Sequence, residues 1–175
     1  MATLRKGRCY SKITGAYTRR SKVKSKSYVK AIPQNKIVRY DMGNLKGSFN
    51  HTINLISTDN IQIRHNALES ARLVIFRRLQ KLGNNNFYFK LKAYPHQILR
   101  ENKMLSGARA DRLQTGMSHA FGKPVGLAAQ LKSGNVILKV DVNKENIKAA
   151  TEAIKLAIPR LPGKCTVEIK KNSSD

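Results

Sequence analysis

Hydrolytic or acid–base chemistry needs convergent carboxylates, or a nucleophile with a nearby base and a group that orients it. This sequence offers neither. Its ten Asp and Glu are scattered singly, with Glu69, Glu145 and Glu152 falling at helix ends and turns. His51, His65, His96 and His119 lack metal-ligand spacing. Cys9 and Cys165 are too few for a disulfide framework and wrongly spaced for a zinc pair. No glycine-rich nucleotide fingerprint follows any strand. No catalytic residue, metal, cofactor or small-molecule substrate is therefore expected.

What these residue types can do is neutralise phosphate. Residues 1–40 hold twelve Lys and Arg and no acid. Arg5, Lys6, Arg8, Lys12, Arg19, Arg20, Lys22, Lys24 and Lys26 are its leading RNA-binding candidates, followed by Lys30, Lys36 and Arg39. They are interleaved with Ser, Thr, Gly and the rings of Tyr10, Tyr17 and Tyr28. Cations of this kind displace counterions from a phosphate backbone, and Tyr and Arg planes stack on unpaired bases. Further candidates are Arg77 and Arg78 at the end of a helix, Lys90 and Lys92 on a strand face, His96 after Tyr94-Pro95, and Lys123. Arg77 and Arg78 also suit the C-terminal end of a helix dipole. A single His near aromatic residues, as His96 is, is more often a packed or phosphate-contacting residue than a catalyst.

The elements that must position these side chains follow from periodicity. No helical or strand period holds for long over residues 1–40, which read as an extension that orders on its partner, the alternative being a disordered solubilising tail. Phe49, His51, Ile53 and Leu55 alternate along a strand over 49–57, residues 57–60 supply turn chemistry, and 61–63 resume the alternation. Asn66 with Glu69 resembles a capping box. Leu68, Ala71, Arg72, Ile75, Leu79 and Leu82 then recur at helical spacing until Gly83. A strand over 87–93 places Phe87, Phe89 and Leu91 inward and Tyr88, Lys90 and Lys92 outward. Residues 100–124 lose all period, and a glycine-punctuated connection of this length inside a compact body is usually functional or disordered. Strands over 125–131 and 136–142 flank Ser133-Gly-Asn135, read as a hairpin turn. Asn143 is expected to cap a helix with Ile147, Ala150, Ile154 and Ile158 on its apolar side, and 165–169 is the closing strand. The expected fold is α+β: a two-layer sandwich of two helices on a mixed β-sheet, with the basic extension at 1–40, a body at 41–175, and a long functional loop at 101–124.

Length and charge bound the partner. The chain has 175 residues, 34 Lys+Arg against 10 Asp+Glu, and a formal net charge of +24. That suits one domain with a tail and a polyanionic partner, nucleic acid before an anionic membrane surface. No window approaches 18 consecutive apolar residues and no apolar run follows the charged N-terminus, so a membrane-spanning or secreted protein is not expected. A reducing, cytoplasmic location fits. Zinc-finger spacing and a basic region leading into heptads are both missing, which favours a folded RNA over duplex DNA.

The run Asn102-Lys-Met-Leu-Ser-Gly-Ala-Arg-Ala-Asp-Arg-Leu-Gln-Thr-Gly-Met117, followed by Ala120-Phe-Gly-Lys-Pro124, resembles the ten-e family of large-subunit ribosomal proteins. That family is the archaeal and eukaryotic counterpart of bacterial large-subunit protein sixteen. The resemblance continues through Arg8-Cys-Tyr10, residues 33–36, Asp41-Met-Gly-Asn44, Ala67-Leu-Glu-Ser-Ala-Arg72 and Pro95-His96. Arg109 stands where that family usually has a small residue. The lack of a long acidic C-terminal extension makes the chain look archaeal. The resemblance implies a structural constituent of the large ribosomal subunit, partnered by ribosomal RNA and other large-subunit proteins near the aminoacyl-tRNA corridor and peptidyl transferase centre. It further implies that a loop carrying Asn102, Lys103, Met104, Arg109, Asp111, Arg112, Gln114 and Gly116 points toward the tRNA acceptor end and aids accommodation. A free-standing RNA-binding factor or RNA chaperone is the alternative, and an enzyme acting on RNA comes third.

Overall fold

The structure, a computed structural model, describes residues 5–13, 25, 29–102, 118 and 121–172. Among these residues eight strands run in chain order: β1 (Asp41–Gly43), β2 (His51–Ser57), β3 (Ile61–Arg64), β4 (Phe87–Leu91), β5 (Gln97–Glu101), β6 (Lys123–Leu131), β7 (Val136–Val142) and β8 (Cys165–Lys171). Two helices are found among the described residues, α1 (His65–Leu79) and α2 (Ile147–Lys155). The α+β class and the two helices are as expected from periodicity. The single mixed sheet is not: the strands form a five-stranded sheet ordered β1-β4-β7-β2-β8 and a three-stranded sheet ordered β3-β6-β5. Every strand pairing among the described residues is antiparallel.

Alternation explains the larger sheet. Ile53, Leu55, Phe87, Phe89, Leu138, Val140 and Val142 are fully buried, and they meet Leu68, Ala71, Ile75 and Leu79 of α1 and Ala150, Ala153 and Ile154 of α2 in one core. Each such side chain contributes roughly 1.5–3 kcal/mol by leaving water, so a sheet with one apolar face is bound to acquire a helical layer. A smaller cluster of Val29, Ile98 and Leu127 lies against the three-stranded sheet.

The division into two sheets is made at two neighbouring turns. Ser57 N–H donates to the Asn135 carbonyl at 3.0 Å, Gly134 N–H to the Ser57 carbonyl at 2.8 Å, and Ser133 N–H to Asn60 Oδ1 at 2.9 Å. The Ser133-Gly-Asn135 turn exists, but it does not close a β6–β7 hairpin. It carries the chain from one sheet into the other, as the turn at 57–60 does between β2 and β3.

Two expected caps are also corrected. Chain passes from β3 into α1 without a linker, so Arg64 occupies the N-cap position and no side chain caps the helix. Glu69 instead takes the Arg72 guanidinium, with Nε donating to Oε2 at 2.8 Å. Asn143 precedes a 3-10 turn (Lys144–Asn146) and makes no side-chain cap bond; α2 starts after Asn146. At the other end of α1, Gly83 follows a 3-10 turn with φ +89° and stops the helix as expected.

Candidate nucleic-acid interface

The N-terminal cations begin on a segment that is held rather than trailing. Residues 7–10 form a 3-10 turn, and the stretch lies along the β3 edge that β6 leaves unpaired. Gln62 N–H donates to the Ser11 carbonyl at 2.9 Å, Gln62 Nε2 to the Tyr10 carbonyl at 2.9 Å, and Arg64 Nη1 to the Arg5 carbonyl at 3.0 Å. The Arg64 guanidinium also stands 5.5 Å from the Tyr10 ring centre. Arg5 forms an ion pair with Glu101, which the Tyr10 hydroxyl approaches at 3.4 Å. Partial burial, then the Glu101 charge, pushes the Tyr10 hydroxyl above its usual value. Of the described extension cations, Arg5 is thus engaged internally, whereas Lys6, Arg8 and Lys12 face solvent.

The outer face of the five-stranded sheet is less basic than the sequence suggests. β1 pairs Asp41 with Lys90, and β7 pairs Asp141 with Tyr88. Lys90 accordingly lies 3.3 Å from Asp41, and the Tyr88 hydroxyl donates to Asp41 Oδ1 at 2.6 Å. Lys139 reaches Asp141 at 2.7 Å and stands 5.3 Å from the Tyr88 ring centre. The Tyr88 hydrogen bond, with help from Lys90, holds the Asp41 carboxyl below its ordinary value despite partial burial. The β4 alternation was legible. The carboxylates were not, because they arrive from strands far away in sequence. Lys92, beyond the end of β4, is exposed.

The remaining described candidates lie apart from one another along the chain. Arg77 and Arg78 are exposed in the last turn of α1. His96 is exposed, its Nδ1 3.2 Å from the Tyr94 carbonyl oxygen. Lys123 is exposed at the start of β6, opposite Glu101 at the end of β5. Those two residues bound the long connection, which is closed at its base. A Cβ on Gly122 would sit 2.4 Å from the Glu101 carbonyl carbon and 2.6 Å from the Asn102 nitrogen, so only glycine permits this approach. Beside it the Arg100 guanidinium lies 3.9 Å from the Phe121 ring centre. Asn102 is half-buried at this base.

Arg19, Arg20, Lys22, Lys24 and Lys26, and the loop residues Lys103, Met104, Arg109, Asp111, Arg112, Gln114 and Gly116, lie outside the described residues. Arg64, Arg100 and Arg160 were missed by sequence reasoning. No local signal marks them, since each acquires its setting from a segment remote in the chain. Among the described residues no group of His, Cys, Asp and Glu is arranged to hold a metal, and no helix is long and apolar enough to cross a membrane.

Comparison with known proteins gives one consistent result. The family described as ribosomal protein L16p/L10e matches residues 15–168. A large ribosomal subunit protein uL16 from Sulfolobus acidocaldarius is 46% identical over 170 residues, covering 95% of this chain and 93% of its own. The protein of the same name from Staphylothermus marinus is 44% identical over 161 residues, 91% and 89% of the two chains. That of Methanococcus aeolicus is 45% identical over 172 residues, 97% and 96%.

Proposed function

The chain belongs to the L16p/L10e family of ribosomal proteins, and from that membership we propose how it works. It is a structural constituent of the large ribosomal subunit in the cytoplasm, it partners ribosomal RNA and ribosomal proteins, and it is not an enzyme. Residues 1–40 serve as the RNA-binding extension of the α+β body at 41–175, with Lys6, Arg8 and Lys12 among its phosphate contacts. The connection between Glu101 and Lys123 carries Lys103, Arg109 and Arg112 toward the acceptor end of tRNA and helps its accommodation.

The observation that supports this reading is the closed base of the connection. Gly122 lies directly against the backbone of Glu101 and Asn102, so both ends of the connection are anchored at one edge of the body. The test is a loop shortened within residues 103–119, carried at full occupancy in purified large subunits. Aminoacyl-tRNA accommodation should slow while subunit incorporation and the fold persist. Arg112→Ala and Lys103→Ala should give smaller effects of the same kind. Normal accommodation rates in such particles would remove the tRNA role and leave the ribosomal RNA role standing.

A further inference from the structure

Three arginines from separate parts of the chain line one cleft of about 430 Å³. Arg8 comes from the N-terminal 3-10 turn, Arg64 from the β3–α1 junction, and Arg160 from the 3-10 turn (Ile158–Arg160) that follows α2. Among the described residues no carboxylate lines the cleft and none of the three arginines is in an ion pair. Asp59, near Gly163 at the cleft wall, is engaged by the Lys164 N–H at 3.1 Å. Three positive side chains around one cleft repel one another, and an anion between them reverses the sign of that interaction.

Two of the three guanidiniums are anchored in advance. Arg64 Nη1 donates to the Arg5 carbonyl at 3.0 Å and Arg160 Nη1 to Ser70 Oγ at 2.7 Å. Each uses one donor of five, so each keeps others for a ligand. The first turn of α1, which opens beside Arg64 and contributes Ala67 to the wall, holds no acidic residue, and its positive end adds to the same field. Gly7, Gly163, Ala67 and Pro162 are small or compact side chains of the wall, and no aromatic ring among the described residues lines it. Such a space suits a compact group made wholly of acceptors.

We infer that the cleft is a phosphate seat in which Arg8, Arg64 and Arg160 together hold one phosphodiester of ribosomal RNA, joining the N-terminal segment to the body through the RNA backbone. This rests on the ribosomal reading above and makes one of its contacts specific. The N-terminal segment and the Arg160 turn then share a ligand even though they come from opposite ends of the chain.

The test is binding of the full chain to large-subunit ribosomal RNA over a salt series. Arg160→Ala and Arg8→Ala should each lower the magnitude of the log–log slope by a part of about 0.7–0.9, the value of one phosphate contact, since the remaining arginines still face the phosphate. Because they hold the same phosphate, the double variant should lose about one contact rather than two. Ser70→Ala, which removes only the hydrogen bond to Arg160, should keep the slope and so separate charge from folding. Unchanged slopes, or a two-contact loss in the double variant, would overturn the shared seat while leaving ribosomal RNA binding intact. If the unsubstituted chain bound with no salt dependence, the ribosomal reading itself would fail, and the seat with it. Inorganic phosphate added to the RNA-free chain at constant ionic strength tests the other source of the same chemistry. A rise in thermal midpoint that Arg160→Ala abolishes, with unchanged RNA slopes, would overturn the RNA assignment in favour of free phosphate.

Discussion

Arg72 shows how a charged residue can belong to an apolar stripe. It recurs at core spacing on α1 and is 9% exposed, with Glu69 on one side and Met42 Sδ at 3.1 Å from Nη1 on the other. Glu69 raises the Arg72 guanidinium further above its usual value, first by hydrogen bond, against the opposing effect of burial. Glu69→Gln should therefore cost roughly 1.5–3 kcal/mol in urea unfolding, because it strands a buried cation. Adding Arg72→Met should recover much of that loss, since the charge then has no need of a partner. His65 gives a second test at this scale. Its ring is buried, Nδ1 has no partner among the described residues, and Lys36 and Arg64 add repulsion, so its pKa falls below the ordinary 6.5. An unfolded chain binds that proton more readily than the folded one. The His65 contribution is thus complete above about pH 6.5 and is lost as pH falls from there through the depressed folded value. Stability measured between pH 7.5 and 5 should fall less steeply in His65→Gln than in the parent chain.

At the scale of elements, closure of the long connection depends on one missing methyl group. Gly122→Ala must push β5 and β6 apart at their ends, and an overpacking cost of about 1–3 kcal/mol should appear in denaturant unfolding. The same substitution should raise hydrogen exchange at residues 99–101 while leaving β7 protected. Elements that bury one face were legible in the sequence: β2, β4, β7 and both helices declare themselves by period, and their buried residues form the main core. β5 was not legible, because Ile98 and Leu99 are adjacent and both buried, with a register shift just after them, so alternation never develops. The same limit hid the partition of the sheet. Turn chemistry at Ser133-Gly-Asn135 fixes that the chain bends, whereas its bonds to Ser57 and Asn60 decide where the next strand goes. In the interface, the cations were legible as composition, and which of them are engaged by Glu101 or Asp41 was not.

For the whole molecule, a charge of +24 predicts affinity governed by counterion release. Deleting residues 1–30 should flatten the salt dependence of ribosomal RNA binding, and an unchanged slope would reduce that stretch to a solubilising role. The architecture carries a different consequence for how the molecule comes into being. β2 is a central strand that receives β8 along its whole length, from Ser57 opposite Cys165 to His51 opposite Lys171. Thr58 and Thr166, whose hydroxyls meet at 3.2 Å beside this pairing, are 108 residues apart. A chain emerging from its N-terminus must therefore wait through more than half of its own synthesis with β2 lacking a neighbour on that side. Until the last strand arrives, a polycation carries an open row of peptide groups that any passing extended segment can occupy. Chains halted before Cys165 should accordingly self-associate in sedimentation experiments where the full chain stays monomeric. The interval before completion is the time when a newborn copy most needs to be shielded from its siblings.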